Sequence, residues 1–406
     1  MENKVPKMAS AAINDSFPEE FEISSQFRRI SKMFNTNGIG FHNMRITGHI
    51  LLVLCCIVNM LMGLHSDWNK VESRILWLRD LQSFLLIQLF FCMLGKRSWT
   101  LELFCDLMDE HYSRQHEIGE FCEVNRTFRL ANSLNVKTYC RNFLAVLTIR
   151  NSAFSYVPMA YSVFLVIAVI IGDNYSQLQQ LPIITYFHYP QEYASWQLQF
   201  ALNIFATYFY VVNTVLGFVF LISNLLILHN TWYQFGLFTE YLRELNRMNL
   251  EEARLRYLMN RVIRYHQTIL SMHSRYGKLC RMPILIFNFS ITFQICTYIY
   301  SIIELRKSRF LIQLIFALML LYAFSSYGQR VVDVGERSSN FLYEIRWTEK
   351  PDWYQKHLLL MLTRSANSME LHFFGLMSVK RTLFTKVLQA AYTYFNFLKG
   401  TDEGLR

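Results

Sequence analysis

Long apolar blocks dominate the pattern of hydrophobic and polar positions along the chain, and charged residues are concentrated between them. A block of about 20 mostly apolar residues crosses the hydrocarbon core of a bilayer as one helix. The pattern predicts seven such helices, at about 46–63, 76–94, 153–172, 198–228, 282–303, 310–327 and 383–398. We therefore predict an all-α polytopic membrane protein with seven transmembrane helices.

Between the fourth and fifth blocks, apolar residues recur at the spacing of an amphipathic helix. Leu255, Leu258 and further apolar residues follow a period near 3.6, with arginines on the other face. This pattern favours a fourth helix that continues beyond the membrane, turns near 246–249 and returns as the fifth. Asn249 and Glu252 have the spacing of a helix N-terminus, so we expect their side chains to cap the returning helix.

Two segments, at about 229–281 and 328–381, are predicted to be cytoplasmic helical extensions of the membrane bundle. Within the second, Pro351 suits the first turn of a further helix. Because the apolar faces of these helices need a partner, we expect them to form an anchor domain, within one subunit or between subunits. The predicted division is a cytoplasmic N-terminal segment 1–45, a seven-helix subunit 46–398 and a short extracellular tail 399–406.

The basic residues predict the orientation of the chain in the membrane. Most of the 40 lysines and arginines lie in 1–45, 95–150, 229–281 and 328–381, whereas 173–195 contains neither. Loops that are rich in lysine and arginine stay in the cytoplasm. The N-terminus is therefore expected inside and the C-terminus outside. The net charge of +10 reflects this topology, and we expect no nucleic-acid partner.

Two N-glycosylation sequons make this topology testable. Asn125 begins an Asn-Arg-Thr sequon in a segment predicted to be cytoplasmic, and Asn174 begins an Asn-Tyr-Ser sequon in a predicted outer loop. We expect glycosylation at Asn174 and none at Asn125.

The eight cysteines all fall in predicted spans or inner segments, so no extracellular disulfide is expected.

The composition argues against a soluble protein and offers no sign of catalysis. The chain is 52% hydrophobic and only 17% charged. His357 and His372 have no partner at metal-ligand spacing, and neither a Gly-rich phosphate loop nor a nucleophile elbow is present. We therefore expect no enzyme, no catalytic residues, no metal and no cofactor.

The last apolar block is unusual because a polar stripe runs along it. On a helical projection the polar side lies within about 80°, and the opposite side is apolar. The polar side carries Thr385, Gln389, Tyr392, Asn396 and Lys399, with Thr393 at its edge; the apolar side carries Leu383, Val387, Ala390, Ala391 and Tyr394. A polar stripe in a bilayer faces protein or water. Two interpretations stay open: hydrogen bonds between helices, or a water-filled pathway lined by one such helix from each of several subunits.

The C-terminal quarter contains a recognisable motif. The segment "FLYEIRWTEKPDWYQKHLLLMLTRSANSMELHFFGLMSVKRTLFTKVLQAAYTYFNFLK" resembles the signature of insect odorant receptors. The matching positions are Tyr343, Trp347, Leu358–Leu360, Met361, Arg364, Ser365, Phe384, Leu388, Ala391, Tyr392, Tyr394 and Phe395.

This resemblance implies a ligand-gated cation channel built as a tetramer, with one pore lined by the last helix and a cytoplasmic anchor. The chain lacks the long intracellular insertion of the olfactory co-receptor, and therefore resembles an odorant-specific tuning subunit. The implied partners are co-receptor subunits in a heterotetramer, a small volatile odorant and the lipid membrane. The implied location is the plasma membrane, multi-pass, on the dendrite of an olfactory neuron.

The motif and the helical projection place different faces of the last helix towards the pore. The family carries a small aliphatic gate residue where this chain has Phe397, and Gly400 stands where a polar residue can follow the gate. Phe397 lies about 110° from the centre of the polar stripe. The resemblance therefore implies Phe397 in the pore, with Thr393 and Asn396 as its neighbours. Gln389 is a pore candidate through the polar stripe, and which of the two faces meets the pore stays open.

The resemblance also implies an odorant pocket in the outer half of the subunit, between spans two, three, four and six. Such pockets are largely apolar, with few hydrogen-bonding groups. The candidate lining residues are Leu81, Phe84, Leu85, Tyr161, Phe164, Leu165, Ile204, Phe205, Tyr208, Phe310, Gln313 and Phe316.

Two other receptor classes are less compatible with the sequence. A rhodopsin-like G-protein-coupled receptor would place its N-terminus outside, and its third span would be followed by Asp-Arg-Tyr, which is absent here. A gustatory receptor is closer, because its last helix also carries a Thr-Tyr pair, as Thr393 and Tyr394 do. It would then be expected to end in Gln-Phe, whereas this chain continues "NFLKG".

Overall fold

A computed structural model of the chain describes residues 41–67, 77–78, 80–82, 117–151, 157–172, 195–306, 308–365, 369–373 and 377–403. The described chain is almost entirely helical. Its elements are α1 (Phe41–Ser66), α2 (Cys122–Asn151), α3 (Val157–Gly172), α4 (Trp196–Arg247), α5 (Glu252–Ile303), α6 (Leu311–Glu344), α7 (Asp352–Ser365), β1 (His372–Phe373), β2 (Met377–Ser378) and α8 (Arg381–Glu403). Two 3₁₀ turns, Gly119–Phe121 and Ser308–Phe310, precede α2 and α6.

The central helices α4 and α5 are longer than a bilayer is thick. Each has 52 residues, which at 1.5 Å per residue corresponds to roughly 78 Å. The hydrocarbon core of a bilayer measures only about 30 Å. More than half of each helix must therefore lie outside the apolar layer if the helices cross it upright.

The connection between α4 and α5 falls within 248–251, where the sequence predicts a turn. The Met248 N–H donates to the Glu244 carbonyl and closes the last turn of α4. The predicted cap is wrong: Glu251, not Asn249, is the N-cap of α5, and its side chain makes no capping hydrogen bond. The backbone of Glu251 still has an extended ψ of 148°, so the helix begins only at Glu252.

Charges divide the long helices into an apolar end and a charged end. No Asp, Glu, Lys or Arg occurs in residues 282–303 of α5 or 311–329 of α6. Among the described residues, α5 and α6 are the two helices that are long and apolar enough to cross a membrane. Because α4, α5 and α6 run antiparallel in succession, their charged ends lie together. Seven spans stay a prediction.

The charged end has an apolar core of its own. Leu242 of α4, Leu258 of α5, Leu342 of α6 and Leu358 of α7 are buried in one cluster, together with Phe121 before α2. The Trp353 Nε1–H donates to the Glu252 carboxylate at 3.0 Å and joins α7 to the start of α5. The five helices at this end are thus held by burial of apolar side chains, as the amphipathic pattern predicts.

A buried hydrogen-bond network fixes the start of α2 against α4. The Asn125 amide donates to the Ile118 carbonyl at 2.9 Å, and the Tyr241 hydroxyl donates to the Asn125 Oδ1 at 2.5 Å. Tyr241 also stacks on Phe121 with ring centroids 5.0 Å apart. Burial raises the pKa of Tyr241 to about 12, so its hydroxyl keeps the proton that it donates.

We predict that only the outer sequon carries sugar. Asn125 is 5% exposed and its Nδ2 atom, the site of attachment, is already engaged with Ile118, whereas Asn174 lies outside the described residues. Endoglycosidase digestion of the expressed chain should shift its mobility, and Asn174→Gln should abolish the shift. Asn125→Gln should leave the shift intact, and a shift that depends on Asn125 would reverse the topology.

Candidate functional site

Helix α8 packs on its neighbours along one line of side chains. Leu383, Val387, Ala391 and Phe395 recur every four residues, and all are buried in a cluster with α5 and α6. The Phe395 ring meets Tyr300 of α5 edge to face, with centroids 6.4 Å apart. Because four residues advance a helix by little more than one turn, this line determines the rotation of α8.

The opposite side of α8 is exposed. All four predicted pore residues lie there: Gln389, Thr393, Asn396 and Phe397. Two residues that the projection placed on the apolar side are exposed as well, Ala390 and Tyr394. The buried line is completed by Phe395, whose ring lies against Tyr300 of α5.

The ring of Phe397 is largely exposed and stacks on the ring of Tyr394. The Phe397 side chain is 62% exposed, and the centroids of the two rings lie 6.2 Å apart. Tyr394 in turn lies against Phe293 of α5 at a centroid distance of 6.2 Å. The Thr393 hydroxyl donates to the Gln389 carbonyl at 2.9 Å, so its proton is satisfied within the helix.

A short hairpin holds the start of α8. Strands β1 and β2 pair antiparallel, and the Val379 N–H donates to the Leu371 carbonyl at 3.2 Å. An ion pair between Glu370 and Lys380 closes the ends of the hairpin. Leu371 and Val379 are buried in a cluster with α4, α5 and α6.

The hairpin approaches α6 at a glycine. A Cβ atom at Gly328 would lie 2.2 Å from the Val379 carbonyl oxygen and 2.4 Å from the Val379 Cγ1 atom. One residue further along α6, the Gln329 Oε1 atom accepts from the Arg381 N–H at 3.4 Å. Only glycine lets the backbone of the hairpin come this close to α6, and α8 begins at this contact.

Two buried histidines of α5 hold the chain between α7 and α8. The His266 Nε2 atom lies 3.2 Å from the Ser365 hydroxyl, and the His273 Nε2–H donates to the Met369 carbonyl at 3.1 Å. Burial, with a smaller contribution from the nearby charge of Arg364, lowers the pKa of His266 to about 4. Burial also lowers the pKa of His273 to about 4, although its hydrogen bond to Met369 opposes the shift. Both rings are therefore neutral near pH 7.

The structure places the predicted odorant residues in separate environments. Leu81 is buried with residues of α1, and Phe205 of α4 packs against the same cluster. Phe310 stacks on Tyr298 of α5, and Phe316 packs against the cluster that contains them. Gln313 is buried and Leu165 is half-buried; Tyr161, Phe164, Ile204 and Tyr208 are exposed; Phe84 and Leu85 lie outside the described residues.

Sequence reasoning missed the contact between the hairpin and Gly328. The available signal was a glycine within an otherwise continuous helical segment, which often marks close backbone approach. His372 and Phe373 form β1, although the sequence predicted only helix up to residue 381.

In the part of the chain that the structure describes, no group of His, Cys, Asp and Glu residues could hold a metal ion.

Comparison with solved structures defines the class of protein. The fold is similar to the structure of the insect olfactory receptor OR5 from Machilis hrabei, with a TM-score of 0.72 and 10% identity over 93% of this chain and 98% of that chain. The structure of the same receptor in complex with eugenol gives a TM-score of 0.69 and 9% identity, over 94% of this chain and 99% of that chain. The chain therefore has a helical fold of the membrane-protein type.

The family follows from the sequence. The family described as 7tm odorant receptor matches residues 97–392, and the chain belongs to that family. A search of curated proteins found no significant match.

We predict that Gly328→Ala destabilises the protein. The added methyl group must displace the backbone of Val379, and overpacking of this kind costs roughly 1–3 kcal/mol. Gly400→Ala is the matched control, because a Cβ atom there has nothing within 4 Å. In a thermal-shift measurement on detergent-solubilised protein, Gly328→Ala should melt earlier than the parent and Gly400→Ala should not. Equal melting of the two variants contradicts the close contact.

Acidification should also destabilise the charged end. The unfolded chain takes up protons on His266 and His273 near the ordinary pKa of 6.5, while the folded chain does so only near 4. The contribution of each histidine to the free energy of unfolding is therefore fully present above pH 6.5 and is lost as the pH falls towards 4. This contribution is on the order of 3 kcal/mol for each histidine. Melting temperatures measured across this range should fall, and His273→Gln should make the decline shallower. A variant whose decline is as steep as the parent's excludes His273 as a cause.

Proposed function

We propose that the chain is an odorant-specific receptor subunit that binds a small volatile odorant and thereby gates a non-selective cation channel. It acts as a heterotetramer with olfactory co-receptor subunits in the plasma membrane. The proposed topology has seven spans, a cytoplasmic N-terminus and an extracellular C-terminus. The chain has no enzymatic role in this proposal.

The one-sided packing of α8 carries the proposal. Its buried line contacts α5 and α6, while the exposed side carries Gln389, Thr393 and Asn396. Within a bilayer, polar side chains of this kind are costly when they face lipid. A water-filled pathway between several copies of α8 satisfies them and leaves Phe397 at its border. This supports the interpretation of the polar stripe as a channel lining.

The charged ends of the long helices support assembly into an oligomer. Roughly half of α4 and α5 extends beyond the thickness of a bilayer and has its own core. Large apolar side chains remain exposed there, among them Tyr343 at 75% and Leu359 at 65%. Exposed apolar groups on such a surface favour contact with another subunit, so we assign the extensions to an anchor shared between subunits.

The odorant pocket is proposed between the apolar ends of the helices. Leu81 and Phe205 pack against one cluster, and Tyr161 and Tyr208 lie on helices α3 and α4, which contact each other. Apolar walls with a few hydroxyl groups suit a small volatile ligand. The complex of a protein of the same fold with eugenol supports a ligand of this size.

Co-expression with the olfactory co-receptor tests the proposal. Whole-cell currents should appear with a subset of an odorant panel when both chains are present. Tyr161→Ala, Phe205→Ala and Tyr208→Ala should each shift the concentration for half-maximal current by about tenfold, since each removes roughly 1–2 kcal/mol of ligand contact. Phe397→Ala is the comparison variant, because it should change the basal current without odorant, which the three pocket variants should leave unaltered.

Two results would contradict different parts of the proposal. Absence of odorant-evoked current with surface expression of both chains rejects the receptor channel. Unchanged potency in all three pocket variants rejects only the position of the pocket.

A further inference from the structure

A lysine occupies the exposed face of α8 near the end that joins the hairpin. Lys386 is exposed, one turn beyond the buried residue Leu383. From Arg381 to Thr401 the helix contains three basic residues and no acidic one; the third is Lys399. No acidic side chain of α8 itself therefore neutralises Lys386 along this stretch.

The helical projection places Lys386 on the same line as two predicted pore residues. Thr393 follows it by seven residues and Phe397 by eleven, which corresponds to rotations of about 20° in either direction. The buried residues Val387 and Ala391 point away from this line, into the groove between α5 and α6. Lys386 therefore lies on the same face of α8 as Thr393 and Phe397, about 10 to 16 Å closer to the hairpin along the helix axis.

We infer that Lys386 lines the ion pathway and places one positive charge per subunit near the mouth that adjoins the charged ends of the helices. This inference rests on the proposed channel function and adds a determinant of its ion selectivity. Rings of acidic side chains favour cations in channels, and basic side chains disfavour them. The positive charge of Lys386 therefore reduces the flow of cations through the pathway, and it reduces the flow of divalent ions more than that of monovalent ions.

The size of the effect follows from elementary electrostatics. In water at physiological salt, a unit charge several ångströms away lowers the local concentration of a monovalent cation by about twofold. For a divalent cation the factor is squared, to roughly fourfold. Removing the charge should therefore raise the permeability of Ca²⁺ relative to Na⁺ by about twofold, and reversing it by about fourfold.

The competing location for Lys386 is the lipid headgroup layer. Lysine side chains near helix ends extend their charged group to the membrane interface while the alkyl chain stays in apolar surroundings. In that case the charge lies outside the pathway, and substitutions leave ion selectivity unchanged. The two locations therefore differ in a measurable quantity.

Reversal potentials under bi-ionic Ca²⁺ and Na⁺ conditions distinguish them, measured on the full-length chain with the co-receptor and an activating odorant. Lys386→Gln should raise the relative permeability of Ca²⁺ by about twofold and increase current towards the extracellular side. Lys386→Glu should raise the permeability ratio further, and Lys386→Arg should match the parent.

Arg330→Gln is the control, because Arg330 lies at the same end of the bundle, but its guanidinium lies over the Trp232 and Tyr327 rings and not on the exposed face of α8. It should leave the permeability ratio unchanged. If Lys386→Glu fails to reach the cell surface, Lys386→Gln carries the test alone. Equal ratios for the parent and Lys386→Gln overturn the inference and place the lysine at the lipid interface. Absence of current in the unsubstituted complex instead rejects the proposed function.

Discussion

Four side chains spaced four residues apart decide which way α8 faces. Leu383, Val387, Ala391 and Phe395 occupy the groove between α5 and α6, and burying them fixes the rotation of the helix. Outside this line, most of the described residues of α8 are exposed in one subunit. The polar residues on that surface are then available to water or to other copies of the helix, and this condition underlies the proposed ion pathway.

The position of α8 depends on the long helices that form its groove. Helices α5 and α6 carry apolar residues for the thickness of a bilayer and charged residues beyond it. The charged ends are stabilised by their own core, so they can serve as a fixed base for the apolar ends. The same helices extend without interruption through both regions, so the two ends belong to one continuous packing unit.

The hairpin between α7 and α8 links this base to α8. Gly328 permits backbone contact with Val379, His266 contacts Ser365 at the end of α7, and His273 contacts Met369 before the hairpin. The contact at Gly328 depends on the absence of a Cβ atom, and the two histidine contacts lie in buried surroundings. The connection is therefore sensitive to small changes of side-chain volume or charge.

The sequence by itself determined the helical membrane class, the odorant receptor family and the turn between α4 and α5, because apolar block length and period are local properties. It also identified Gln389, Thr393 and Asn396 as one polar group. Only the tertiary structure decided that Phe395, not Ala390 or Tyr394, completes the buried line, and that a strand pair meets Gly328. Those features depend on the shape of the groove between α5 and α6, and residues far apart in the chain create that shape.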